Sequence, residues 1–286
     1  MELKKSERKK AKIKMALQGP SGSGKTMSGL LIAQGLTNGN LSKVAIIDSE
    51  SGSSNLYSHL GGYNVLKLDN PHSPERYVEA IDVCIKAGME VVILDSISHC
   101  WDFLLDYHAS LQGNSFTNWA KIKPLEKTFV DKILQSDIHV IATMRVKQDY
   151  VLSERNGKMV PEKVGLKAIQ RDEISYEFTI VFDIDSKHFA VSSKDRTLLF
   201  EGKPQFMINS FTGKKILDWC NSTMTKVELQ NKVSECNTLK ELTDLYNDNL
   251  DLAKTIEQDF VAKRDLLKQL TSNISTNGNG THTSKD

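Results

Sequence analysis

The chain has 286 residues, of which 39% are hydrophobic and 26% are charged, and its formal net charge is +1. That composition is ordinary for a soluble globular protein with one large domain or two smaller ones. No apolar run approaches the roughly 20 residues that span a bilayer, and the basic N-terminus lacks the apolar stretch of a secretory signal. The four scattered cysteines form no CxxC pair, so they indicate reduced thiols in the cytoplasm and predict no metal cage.

Strands and helices alternate through the first half of the chain. Apolar runs predict strands over residues 13–18, 43–48, 90–94 and 139–143. Helical patterns fill residues 25–36, about 74–86 and about 118–134, and the second of them opens on Ser73 and Pro74. This alternation predicts an α/β fold with a mostly parallel central sheet.

The pattern changes after residue 145. Residues 146–170 show no clean periodicity, and a segment of that length is typical of a functional or disordered loop. Three apolar stretches follow between residues 176 and 200, with the sequences YEFTIVFDID, HFAVSS and TLLF. They predict consecutive strands that extend the same sheet in antiparallel fashion.

The two ends of the chain differ from the α/β region in composition and predicted structure. Residues 1–11 form a basic arm, which we expect to be a solvated terminus, with contact to phosphates as the alternative. The α/β domain is predicted to cover residues 12–222, and a helical segment over 223–270 follows, with a capping box from Thr238 to Glu241. Residues 271–286 are polar and contain glycine, so we expect a disordered tail.

A glycine-rich loop lies between the first predicted strand and the first predicted helix. It reads GPSGSGKT and consists of Gly19, Pro20, Ser21, Gly22, Ser23, Gly24, Lys25 and Thr26. This pattern is specific for a P-loop in that position, where backbone N–H groups and a helix N-terminus surround the phosphates of a nucleotide. Lys25 is expected to reach the β- and γ-phosphates of ATP, and the Thr26 hydroxyl is expected to bind Mg²⁺.

Acidic residues stand at the C-terminal ends of two other predicted strands. Asp95 follows the buried run VVIL, which delivers one carboxylate beside the P-loop for Mg²⁺. Asp48 and Glu50 stand at the end of the neighbouring strand, in IIDSES. Glu50 is the candidate general base that activates water, and a turn or a helix cap is the alternative for both residues.

These motifs resemble the ATPase core of the RecA-type recombinases over about residues 12–205. The resemblance rests on IDSE, on VVILDS and on VIATMRVK. It implies that Glu50 activates water, that Tyr57 stacks on adenine and that Thr143 senses the γ-phosphate, although the family typically has Gln at the last place. It further implies that Lys194 and Arg196 reach into the ATP site of a neighbouring subunit.

The stretch KVGLKAIQRDEISYEFTIVFDID is similar to the short RecA-like ATPases of bacteriophages that accompany single-strand annealing systems. Two departures accompany the likeness. Only about a dozen residues precede the first predicted strand, so we expect no full subunit-docking domain, and the C-terminal region is predicted to be helical. The resemblance implies a bacterial or phage-infected host cell, and assembly of like subunits with ATP between them. It also suggests an annealing or single-strand-binding protein as a partner.

The resemblance implies that residues 146–170, which follow the fourth predicted strand, correspond to the single-stranded-DNA-binding loop of that family. Between Arg145 and Arg171 the sequence has seven cations and three anions, a balance that suits a site along a nucleic-acid backbone. The candidate DNA-binding residues are Arg145, Lys147, Tyr150, Lys158, Lys163 and Lys167. A solvated loop, or one that docks against another subunit, is the alternative.

The leading hypothesis is therefore an ATPase that acts on single-stranded DNA in phage-type recombination, repair or replication. A nucleotide-gated adaptor or loader with little hydrolysis is the second candidate. A P-loop small-molecule kinase is the third, and a catalytic carboxylate at Glu50 argues against it because that group points to water as the acceptor.

Overall fold

The computed structural model describes residues 11–155, 158–170, 174–221 and 226–276. These residues belong to two compact units, one within residues 10–221 and the other within residues 222–286. The predicted basic arm lies outside the described residues except for Ala11. Among the helices that the structure describes, none combines the length and the apolar character needed to cross a bilayer.

One large sheet organises the first unit. Its strands are β1 (Lys14–Gly19), β2 (Val44–Asp48), β3 (Asn64–Lys67), β4 (Val91–Asp95), β5 (His139–Arg155), β6 (Lys158–Ala168), β7 (Ile180–Ile184), β8 (Phe189–Asp195) and β9 (Phe206–Met207). The order is β3-β2-β4-β5-β1-β7-β8-β9, and β6 pairs with β5 alone. Pairing is parallel from β3 to β7 and antiparallel at β8 and β9. The predicted α/β fold, a mostly parallel sheet with an antiparallel extension, is confirmed.

Helices cover both faces of this sheet. They are α1 (Lys25–Leu36), α2 (Pro74–Lys86), α3 (Ser98–Ser110), α4 (Ser115–Gln135), α5 (Ile174–Glu177) and α6 (Ser210–Asn221), with 3₁₀ helices at Leu41–Lys43 and Ser53–Leu60. Met15 and Leu17 pack into the cluster that includes α1 and α6, whereas Ala16 packs into the cluster with α2 and α4. The central strands are continuous apolar runs because side chains on both faces are buried.

The helix that follows the P-loop is held by close contact between backbones. A Cβ atom on Gly35 of α1 would lie 2.0 Å from the Ser210 carbonyl oxygen, and one on Gly213 of α6 would lie 2.0 Å from the Ile32 carbonyl oxygen. Backbone atoms cannot move aside as a flexible side chain can, so both positions require glycine. The contact fixes α1, and with it the N-terminus that faces the P-loop.

Residues 146–170 do not form the predicted loop. Residues 146–155 continue β5 and residues 158–168 form β6, and the antiparallel pairing runs from Val146 opposite Ala168 to Arg155 opposite Lys158. Backbone groups make the hydrogen bonds of such a ladder, so a hairpin can form where the side chains show no alternation. The short, mostly exposed β3 and helix α3 were also absent from the prediction.

The predicted strand TLLF is wrong as well, because a turn occupies residues 196–200. Asp195 accepts hydrogen bonds from the backbone N–H groups of Thr197 and Phe200, both at 2.7 Å. An aspartate that binds nearby backbone groups in this way competes with strand pairing. The last strand of the sheet is instead β9, which is two residues long.

The second unit is helical, as predicted. It contains α7 (Lys226–Glu235), α8 (Leu239–Asp248), α9 (Leu250–Lys254) and α10 (Glu257–Thr276) around a core that includes Leu229, Leu242 and Phe260. The predicted capping box opens α8, where Thr238 Oγ1 accepts from the Glu241 N–H at 3.2 Å and Glu241 Oε2 accepts from the Thr238 N–H at 3.3 Å. The expected start of the tail at residue 271 falls inside α10, and residues 277–286 lie outside the described residues.

Candidate functional site

The P-loop connects the C-terminal end of β1 to the N-terminus of α1. Gly22 and Gly24 have φ angles of 78° and 88°, in the left-handed region that favours glycine. A Cβ atom on Gly19 would lie 2.4 Å from the Ile184 carbonyl oxygen, so β7 backs the start of the loop. These glycines therefore give the loop a shape that other residues would not keep.

Lys25, the predicted phosphate-binding lysine, lies against the loop. Its Nζ donates to the carbonyl oxygens of Gly19 and Pro20, both at 2.9 Å. Burial lowers the pKa of Lys25 below its ordinary value, and the charges of Asp95 and Glu50 oppose that effect. The ammonium group thus contacts the loop backbone and is within electrostatic range of the two acidic residues predicted to act on Mg²⁺ and water.

Asp95, at the end of β4, is the centre of a buried hydrogen-bonded group. Thr26 Oγ1 donates to Asp95 Oδ2 at 2.6 Å, and Thr143 Oγ1 donates to Asp95 Oδ1 at 2.6 Å. Burial raises the pKa of Asp95, and the hydrogen bonds from Thr143 and Thr26 oppose that rise. The structure brings together three residues that the sequence places on three separate elements.

The residues around the loop fit the predicted nucleotide and metal ion. A hydroxyl and a carboxylate, here those of Thr26 and Asp95, are the hard oxygen donors that Mg²⁺ takes in nucleotide sites. Ser23 Oγ is buried within the loop and has no hydrogen-bond partner among the described residues. A buried polar atom of this kind needs a partner, and a phosphate oxygen would supply one.

Asp48 has the structural role that was the alternative prediction. Its Oδ1 accepts from the Glu50 N–H at 2.7 Å, and its Oδ2 accepts from the Ser54 N–H at 3.1 Å and also from Ser54 Oγ. The carboxylate therefore holds the turn between β2 and the 3₁₀ helix Ser53–Leu60. This turn positions Glu50 beyond the end of β2.

Glu50 is paired with Arg145, which the sequence assigned to nucleic acid. Arg145 Nε lies 3.0 Å from Glu50 Oε1, and Arg145 Nη2 lies 2.7 Å from Glu50 Oε2. Burial raises the pKa of Glu50, but the hydrogen bonds and charge of Arg145 outweigh it, so the pKa lies below its ordinary value. Hydrogen bonding to Glu50 likewise raises the pKa of Arg145.

A second polar group lies next to this ion pair, and the sequence did not single out its members Ser49 and Tyr77. Ser49 Oγ lies 2.8 Å from His99 Nδ1, and Tyr77 OH donates to the Ser96 carbonyl oxygen at 2.7 Å. Ser49 Oγ also donates to the Asp95 carbonyl oxygen at 3.2 Å. The signal for this group is a set of polar residues at strand ends, because parallel strands place their carboxyl ends at one edge.

His188 is another residue that the sequence did not single out. Its Nδ1 lies 2.9 Å from the Ser23 carbonyl oxygen, and a Cβ atom on Gly24 would lie 3.1 Å from the same nitrogen. The residue lies in the turn between β7 and β8, far from the P-loop in sequence. No local pattern signals such a contact, because sheet pairing alone brings the turn to the loop.

The other residues implied by the resemblance lie elsewhere on the first unit. Tyr57 is half-buried in the 3₁₀ helix and packs against the hydrophobic core, so its contact with adenine stays a prediction. Lys194 Nζ donates to the Ser175 carbonyl oxygen at 3.0 Å, and Arg196 Nη2 donates to that of Tyr176 at 3.0 Å. Lys194 Nζ also donates to the Tyr176 carbonyl oxygen, so the two cations converge on that atom, and their contact with the ATP site of a neighbouring subunit stays a prediction.

The predicted DNA-binding residues lie on the hairpin of β5 and β6. Lys147 is exposed and pairs with Lys167, Tyr150 pairs with Lys163, and Arg155 pairs with Lys158 across the ladder. The side chains of four of these candidates lie outside the described residues, namely Tyr150, Lys158, Lys163 and Lys167. Their contact with nucleic acid stays a prediction.

A P-loop at the carboxyl edge of a mostly parallel sheet, with Thr26 and Asp95 beside it, defines the chain as an α/β P-loop nucleotide-binding protein. A family model described as AAA domain matches residues 11–209, and the chain belongs to that family. The match supports an ATPase core that binds nucleotide and uses Mg²⁺ as such families usually do. No curated protein matches the sequence.

Proposed function

We propose that this protein is a RecA-like ATPase that acts on single-stranded DNA in phage-type recombination, repair or replication. The observation that carries the proposal is the course of β5. This strand runs from His139 beside the core, past Thr143 at the Asp95 carboxylate, and without a break into the basic hairpin. A single element therefore joins the nucleotide site to the candidate DNA site.

The residues of the site support hydrolysis of ATP by water. Glu50 would take a proton from a water molecule as the water oxygen bonds to the γ-phosphorus. The bond from that phosphorus to the bridging oxygen breaks, and ADP leaves with the electron pair. Lys25 and the loop N–H groups would hold the phosphates, and Thr26 and Asp95 would hold Mg²⁺, which offsets the negative charge that develops.

The hairpin supports single-stranded DNA as the second ligand. Cationic positions pair across its ladder at Lys147 with Lys167 and at Arg155 with Lys158, and Tyr150 lies opposite Lys163. Paired cations with an aromatic residue suit a phosphodiester backbone and stacked bases. Turnover of ATP measured with and without single-stranded DNA tests the proposal, and we expect DNA to raise the rate several-fold.

The same assay separates the competing functions. ATP binding with almost no turnover, with or without DNA, favours a nucleotide-gated adaptor or loader. Turnover that requires a small-molecule acceptor favours a kinase. An annealing or single-strand-binding protein is the partner that we would add next, because the resemblance to the phage ATPases suggests such a pair.

Lys194 and Arg196 support assembly of like subunits with ATP at their interfaces. Both side chains converge on the carbonyl oxygen of Tyr176, which is exposed. Two converging cations favour a further anion, and the γ-phosphate of an adjacent subunit fits that requirement. The exposed tyrosine ring 5.9 Å below Lys194 Nζ is an additional surface for that contact.

A mixing experiment tests the role of this pair. Subunits with Lys194→Ala and Arg196→Ala keep the P-loop, whereas Lys25→Ala subunits keep the two cations. Both variants should be nearly inactive alone, and their mixture should regain part of the ATPase activity at mixed interfaces. If both variants assemble as the wild type does and the mixture stays inactive, the two cations do not act across an interface.

A further inference from the structure

The ion pair between Glu50 and Arg145 engages both carboxylate oxygens of the candidate general base. Each carboxylate oxygen accepts from a different guanidinium nitrogen, at 3.0 Å and 2.7 Å. Both side chains are only partly exposed, at 27% for Glu50 and 39% for Arg145. A two-point contact of this geometry is among the stronger hydrogen-bonded ion pairs in proteins.

This contact opposes the chemistry proposed for Glu50. A general base needs a free lone pair directed at the water that it deprotonates. Here the guanidinium engages one lone pair of each oxygen, and the adjacent positive charge makes the carboxylate a weaker base. The pair therefore holds Glu50 in a state that binds water poorly and accepts its proton poorly.

Arg145 lies where the hairpin leaves the sheet. It is the last residue of β5 that pairs with β1, opposite Gly19, and Val146 is the first that pairs with β6. Its N–H donates to Ser98 Oγ at 3.0 Å, and its carbonyl oxygen accepts from the Ile169 N–H at 2.7 Å. A shift of the hairpin therefore acts directly on the backbone of Arg145.

We propose that Arg145 is a latch on Glu50, and that single-stranded nucleic acid bound along the hairpin opens it by drawing the guanidinium to a phosphate. This inference rests on the proposed function, because it takes Glu50 as the base and the hairpin as the DNA site. Phosphate and carboxylate are alternative two-point partners for a guanidinium group, so the exchange preserves its hydrogen bonds. Arg145 is thus a positioning residue that couples the DNA site to hydrolysis.

The test compares ATP turnover of Arg145→Gln with that of the wild type in the absence of DNA. If the open state makes up about 10% of molecules, removal of the latch should raise kcat about tenfold. KM for ATP should not change, because the phosphate-binding residues are untouched. The rate of the variant should then show little or no further increase when single-stranded DNA is added.

Three further variants make the result specific. Lys127→Gln is the control for the loss of one positive charge, because it removes an exposed ion pair with Asp131, 2.7 Å long, that lies away from the site. Its kcat should equal that of the wild type. Arg145→Lys keeps the charge but loses the two-point contact, so it should show an intermediate rate. Glu50→Gln combined with Arg145→Gln should be as inactive as Glu50→Gln alone.

Different results would overturn the latch and the proposed function. A DNA-free kcat of Arg145→Gln at or below the wild-type value overturns the latch, as does a rise that persists in the Glu50→Gln background. If Arg145→Gln does not fold, the DNA-free kcat of Arg145→Lys is compared with the wild-type value instead. A wild-type protein that DNA does not stimulate contradicts the proposed function, whereas a raised DNA-free rate in Arg145→Gln would still support the latch itself.

Discussion

Replacement of Thr143 by valine should destabilise the protein through Asp95. The Thr143 hydroxyl donates to a carboxylate oxygen at 2.6 Å, and the two residues are 0% and 2% exposed. Valine has nearly the same shape, so the change removes the donor without opening a cavity. Loss of a hydrogen bond to a buried charge costs about 2 kcal/mol of unfolding free energy.

Thermal unfolding in buffer without Mg²⁺ or nucleotide measures this effect. For a domain of this size, about 2 kcal/mol lowers the melting temperature by roughly 4–8 °C. Thr128→Val is the matched control, because Thr128 is exposed and donates only to the Pro124 carbonyl oxygen, and its effect should stay within about 0.5 kcal/mol. Thr143→Ser keeps the hydroxyl and loses one buried methyl group, for about 0.8 kcal/mol.

A second comparison ties the loss to the charge of Asp95. In an Asp95→Asn background, Thr143→Val should have a smaller effect, because the hydrogen bond no longer involves an ionised group. A Thr143→Val protein that melts at the wild-type temperature, or no lower than Thr143→Ser, would refute the reasoning. An equal loss in both backgrounds would show that Asp95 is not the partner that matters.

The remaining predictions concern the P-loop, the hairpin and the start of β5. Lys25→Ala should abolish tight ATP binding in calorimetry because it removes the loop's cation, and an unchanged affinity would contradict the site. Replacing Lys158, Lys163 and Lys167 together by alanine should reduce the slope of log affinity for single-stranded DNA against log salt concentration by roughly 2–3 units. An unchanged slope would place the DNA elsewhere. Burial lowers the pKa of His139 from 6.5 to about 4 while its Nδ1 accepts the Ile13 N–H. The unfolded chain therefore binds the proton first as pH falls, and stability should drop by about 3 kcal/mol between pH 6.5 and 4. His139→Gln should lose that part of the pH dependence in denaturant titrations, and an unaltered profile would exclude His139 as its source.

The sequence by itself determined the elements whose signals are local. Helix α1 begins and ends at the predicted residues, and β1, β2 and β4 match to within about one residue, because each is an uninterrupted apolar run or a helix opened by the P-loop. The P-loop is equally local, since its glycines and lysine lie within eight successive positions. The AAA domain match supports the nucleotide-binding ATPase core that this motif predicted.

Only the tertiary structure decided which side chains meet. The sequence proposed Glu50 as a base and Arg145 as a DNA contact, but their direct pairing depends on how β2 and β5 are placed in the sheet. The same holds for Thr143, whose partner is Asp95 because β5 lies beside β4. The hairpin also had no local signal, because backbone hydrogen bonds between β5 and β6 form it. Partners between strands depend on strand order and register, which residues near in sequence do not encode.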